Sequence, residues 1–122
     1  MAELRYVRGD KWPIRLATLA LPGARWRYAL VYTENGLSER IVARTADAPW
    51  GPWSPPVVLY RCPEMARDQR VFSYAAKAHP ALAVGDELVV SYVVCSFDFE
   101  YMKANAGIYW PKFVRVSLAP TR

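Results

Sequence analysis

The chain has 122 residues, 53% of them hydrophobic and 22% charged, with a net charge of +5 from 16 basic and 11 acidic side chains. That length and composition describe one folded domain with a modest core and exclude a disordered tail. No apolar run approaches the ~20 residues a membrane span needs; the longest, residues 13–22 (PIRLATLALP), carries Arg15 and lies between prolines. The N-terminal MAELRYVRGD lacks the apolar stretch of a secretory leader. A complete chain is therefore expected in the cytoplasm and off the membrane, and the compartment stays open for a piece of a longer protein. The arginines are scattered rather than run together, so solvated surface accounts for the charge and nucleic acid is not an expected partner.

Along the chain, LRYVR alternates as a strand does, while IRLATLAL fits a strand or a short helix. The clearest period-two segment is RWRYALVYT, Arg25 to Thr33. Trp26, Tyr28, Leu30 and Tyr32 fall on one side and Arg25, Arg27, Ala29, Val31 and Thr33 on the other, with the aromatic side looking like core. Asn35-Gly36 predicts a tight turn, and ERIVARTA resumes as a second strand, completing a hairpin. TADAPWGPWSPP then holds Pro49, Pro52, Pro55 and Pro56, which exclude a central strand because proline cannot donate to a ladder. Trp50 and Trp53 in that stretch are placed to cover the hairpin edge or the rim of the core, and Val57 to Tyr60 reads as a short outer strand.

RCPEMARDQR is polar and predicts a loop. VFSYAAKAHPAL and VGDELVVSYVV predict a second strand pair turning at Gly85-Asp86. Leu88, Val90, Tyr92 and Val94 share one side, and Val89, Ser91 and Val93 the other. The long connection after Ser96 predicts a helical turn over Phe99 to Ala104, then a strand in KFVRVSL that Pro120 ends. Strands at roughly ten-residue intervals give an all-β, antiparallel chain of sandwich, barrel or propeller type. Cys62 and Cys95 lack metal-ligand spacing; Cys95 is expected as a buried thiol, and a disulfide between them is disfavoured in a cytosolic chain.

The segment from Trp26 to Tyr60, with its Gly-Pro-Trp-Ser turn, resembles a blade of the five-bladed β-propeller glycoside hydrolases, the arabinanase and xylosidase-like group. YAAKAHPALAVGDELVVSYVVCSFDF and IYWPKFVRVSL resemble the last blade of the same group, including D-arabinan-degrading relatives. The resemblance implies a partial propeller of about two blades, a penultimate-type blade over residues 23–60 and a last-type blade over 70–119, within a single domain over 1–122. Blades stack apolar faces on neighbours. Two blades thus imply a homo-oligomer, or a complementary propeller chain, covering what the chain leaves open.

On this resemblance the catalytic carboxylates belong to early blades that have no counterpart here, so activity of the chain alone is not expected. Asp98 and Glu100 in SFDFEY are the available carboxylates and would share a side if extended; the alternative is a solvated loop. His79, the single histidine, matches a last-blade position near the central channel, where it would help to hold a metal ion, such as calcium in a completed channel, or a substrate; a structural histidine is the alternative. Trp50, Trp53, Tyr74 and Tyr92 are the aromatic candidates for ligand contact, with inter-blade packing as the alternative for the tryptophans. Cys95 stands where the group commonly has asparagine. The function expected is glycan binding or part of a glycoside hydrolase, with a non-catalytic oligomeric interaction protein as the alternative; no cofactor is implied beyond the possible calcium ion.

Overall fold

The computed structural model describes residues 3–8, 13–18, 28–84 and 87–117. They form two antiparallel sheets, each a meander in chain order. The first holds β1 (Glu3–Arg8), β2 (Pro13–Thr18), β3 (Tyr28–Thr33), β4 (Arg40–Ala46) and β5 (Val57–Arg61). The second holds β6 (Val71–Val84), β7 (Glu87–Ser96) and β8 (Lys112–Ser117). One helical turn, α1 (Glu64–Arg67), links the sheets, and α2 (Phe99–Ala104) with a 3-10 turn (Ala106–Tyr109) fills the connection from β7 to β8. The chain is all-β, each sheet is blade-like, and neither closes into a barrel among the described residues.

β2 settles the segment that fitted strand or helix, and through the pairing of Leu16 with Leu30 it carries the first sheet upstream of residue 23. The polar stretch 61–70 is not wholly loop. Pro63 opens α1, and the Asp68 amide donates to the Glu64 carbonyl at 3.0 Å to close its single turn. Trp26, Gly85, Asp86 and Pro120 lie outside the described residues, although Val84 and Glu87 pair across the expected β6–β7 turn.

Side-chain size decides which side of β3 goes inward. Ala29, Val31 and Thr33 are buried, and Tyr28, Leu30 and Tyr32 are half-buried. The aromatic side expected as core is the outer one. Small inward residues let β6 come close enough for the Ala76 amide to donate to the Thr33 hydroxyl at 3.0 Å. The outward Tyr32 instead accepts from Arg44 Nε at 3.0 Å across the hairpin. In β7 the alternation holds as expected: Leu88, Val90, Tyr92 and Val94 are buried, and Val89, Ser91 and Val93 are half-buried. Ala29, Val31, Ile41 and Ala43 of the first sheet and Leu88, Val90, Val94 and Val116 of the second form one shared core. Each fully buried Ile or Leu contributes about 2–3 kcal/mol, so this seam holds the sheets together.

The hairpin turn departs from the two-residue expectation. Asn35 and Gly36 do take the left-handed conformation, with φ of 55° and 83°. Leu37, however, bridges to Tyr74, and the Ser38 amide donates to the Ser73 carbonyl at 3.1 Å. The loop is longer because it saturates the free edge of β6, which would otherwise leave backbone groups unpaired. At its base the Arg40 guanidinium grips the Glu34 carboxylate with two hydrogen bonds and holds that carboxyl below its ordinary range.

The two cysteines are free thiols, and burial falls on Cys62 rather than Cys95. The period of β7 puts Cys95 on the outer side with Val93, half-buried. No helix among the described residues is long and apolar enough to cross a membrane.

Candidate functional site

The proline-rich connection from β4 to β5 is a pinned turn. Its two ends are clamped: the Thr45 amide donates to Ser54 Oγ at 2.9 Å, and the Ser54 amide donates to the Thr45 carbonyl at 2.8 Å. Inside the clamp the Gly51 amide donates to the Ala48 carbonyl at 3.0 Å, and the Gly51-Pro52 bond is cis. Gly51 has φ of +93°, and a Cβ there would meet Trp53 N at 3.0 Å and Trp53 Cδ1 at 3.1 Å. Only glycine fits that position without displacing Trp53. Trp53 is half-buried against the turn, and Trp50 stands 85% exposed at its tip.

A second aromatic surface covers the outer side of the β6–β7–β8 sheet. Register places Phe72 beside Cys95, Tyr74 beside Val93, and Phe113 beside Ser91 on this side. The Phe72 ring lies 4.4 Å from Phe97 and 5.5 Å from Tyr74. Burial first, and the neighbouring Tyr109 hydroxyl second, push Tyr74 up to about 12. His79 sits farther along the same side, its Nε2 2.7 Å from Ser91 Oγ and its ring 5.8 Å from Phe113.

Beneath the other side of that sheet lies a small polar group within the core. Tyr92 is buried and its hydroxyl donates to Glu64 Oε1 at 2.9 Å and Oε2 at 3.1 Å. Burial, then the Glu64 carboxylate, drive the phenol well above its ordinary range. Burial likewise pushes the Cys62 thiol up to about 11, only partly offset by the Ser73 hydroxyl. Neither group is a nucleophile near neutral pH, since thiolate and phenolate are both disfavoured there. The cluster closes the seam where α1 crosses from one sheet to the other.

The carboxylates that sequence singled out are occupied locally. The chain is not extended at Asp98 and Glu100, because α2 starts there. Asp98 caps the helix by accepting from the Tyr101 amide at 3.0 Å, and Glu100 meets Lys103 Nζ at 3.0 Å. Nearby, Asp68 receives Arg70 Nε at 2.9 Å, Arg70 Nη2 at 2.8 Å and the Tyr101 hydroxyl at 2.8 Å, tying the start of β6 to α2. The Arg70 guanidinium holds the Asp68 carboxyl far below its ordinary range. Among the described residues, no three His, Cys, Asp or Glu side chains converge as metal ligands.

The structure thus gathers Tyr74 and His79 on one outer surface, sets Trp50 and Trp53 on a separate turn, and places Tyr92 inside the core. Sequence reading missed Glu64, Asp68 and Arg70, whose partners lie 28 to 33 residues away for two of the three. It also missed the concentration of aromatic residues between Phe97 and Phe113, visible as rings outside any alternating segment.

Fold and site together define an all-β module of two stacked sheets with aromatic side chains displayed on a pinned turn and on an outer sheet surface. Residues 24–118 match the family model described as a domain of unknown function (DUF5005), and the chain belongs to that family. No curated protein and no solved structure matches the chain.

Proposed function

We propose that this protein is a glycan-binding module of propeller-like build, acting by recognition rather than by catalysis on its own. The observation that carries the reading is Trp50, 85% exposed on a turn held at both ends by the Thr45–Ser54 clamp. A flat indole in water stacks on the apolar CH face of a pyranose or furanose ring, and a ring already fixed loses little freedom on binding. Trp53 packs within the turn and supports that presentation.

Hydrolysis would need two carboxyl groups about 5–9.5 Å apart across a glycosidic bond. Asp98 and Glu100 are instead a helix cap and an ion-pair partner on a solvated helix. Calorimetric titration with arabinan, xylan and sialylated oligosaccharides tests the proposal. Binding in the millimolar range or tighter is expected for at least one, weakened at least tenfold in Trp50→Ala. No heat with any of them at millimolar ligand would overturn it.

A further inference from the structure

We infer that the outer face of the β6–β7–β8 sheet is an interface for a second copy of this chain, docked about a two-fold axis. Five aromatic residues, Phe97, Phe99, Tyr109 and Trp110 of the β7–β8 connection and Phe113 of β8, are between 52% and 83% exposed, and Phe97, Tyr109 and Phe113 adjoin this face. A ring-bearing side chain carries about 200 Å², so these five present about 700 Å² to water. Monomeric proteins rarely expose apolar patches beyond about 300–600 Å². A standard protein–protein interface takes about 800 Å² from each partner, which this face together with the β7–β8 connection approaches.

The geometry selects the same face on the partner. On the outward side of the β3–β4 hairpin, Val42 and Ala46 are buried, paired with half-buried Tyr32 and Tyr28. Among the described residues this hairpin offers no exposed aromatic side chain for head-to-tail growth. Among the described residues the other exposed tryptophan, Trp50, belongs to the separate β4–β5 turn. A two-fold contact buries both aromatic faces at once and closes the assembly. Lys77 and the Arg115–Glu87 pair, 3.6 Å apart, fall along the same side and form the polar rim such an interface needs.

Sedimentation equilibrium from about 1 to 100 μM, the range in which an interface of this size is populated, reads the state directly. The expected mass is twice the 13.9 kDa of one chain, and unchanged at high salt because the contact is apolar. Phe97→Ser with Trp110→Ser removes two exposed rings and raises the dissociation constant at least tenfold, while Trp50→Ser leaves it unaltered. Should the double variant not fold, Phe113→Lys, which sets like charges across the axis, must break the dimer with its circular dichroism retained. A folded wild type that stays monomeric throughout, or a dimer indifferent to these substitutions, overturns the inference.

Discussion

Ser73→Ala should make this protein more stable, against the usual direction of core substitutions. Ser73 is 1% exposed, and its hydroxyl has no hydrogen-bond partner among the described residues. The Cys62 thiol is its polar neighbour, and sulfur is a poor partner for a hydroxyl. Burying a hydroxyl without a partner costs about 1–3 kcal/mol. Deleting the oxygen forfeits a few dispersion contacts, about 0.5 kcal/mol. The balance is a gain of about 1 kcal/mol, equivalent to a Tm rise of about 3–6 °C in a chain of this size. Urea unfolding followed by tryptophan fluorescence measures it. A loss of more than about 0.5 kcal/mol would mean the hydroxyl is bonded in solution and would refute the reasoning.

Ala75 is exposed in the bulge of β6 with φ of +58°. Ala75→Gly should stabilise by about 0.5–1 kcal/mol, the relieved left-handed strain less the extra freedom of the unfolded chain; thermal unfolding at a lower temperature than wild type would contradict this. Native protein at pH 8, diluted below the concentration at which it dimerises, should show one thiol reacting rapidly with a disulfide reagent, the half-buried Cys95, while Cys62 reacts only on unfolding; equal rates would sink that assignment. Asp68 is held below its ordinary range by Arg70, so its stabilising contribution is present above the unfolded value of about 4 and is lost as pH falls through the lower folded value. The Tm gap between wild type and Asp68→Asn should therefore narrow steadily below about pH 4, and a constant gap down to pH 2 would show that the carboxylate charge is not involved.

The strands with strict alternation were legible before any coordinates. β7 needed only its run of Leu88, Val90, Tyr92 and Val94, and the connection after it was expected to hold the helical turn at Phe99 to Ala104 that α2 forms. Alternation names two sides without saying which is buried. In β3 the aromatic side looked like core because large rings bury the most area, yet Ala29 and Val31 went inward because β6 had to approach closely. The Asn35-Gly36 pair announced a reversal, but nothing local announced that Leu37 would bridge to Tyr74. Trp50 and Trp53 were visible as a pair, while their opposite exposures depend on the left-handed Gly51 and the clamp from Thr45 to Ser54. Asp98 and Glu100 read as a pair only for an extended chain; a helix start turns the first into a cap. The core contact of Tyr92 with Glu64 joins residues 28 apart, a separation that no local pattern encodes.

The central claim, that this two-sheet module recognises glycans through a pinned tryptophan, is tested most directly by following the indole N–H resonances of its five tryptophans during titration with arabinan and xylan oligosaccharides. The account predicts that the Trp50 signal moves in a saturable way with at least one of these ligands while the half-buried Trp53 moves less. Saturable binding that shifts other indoles and leaves Trp50 still, or no shift at millimolar ligand, would contradict it.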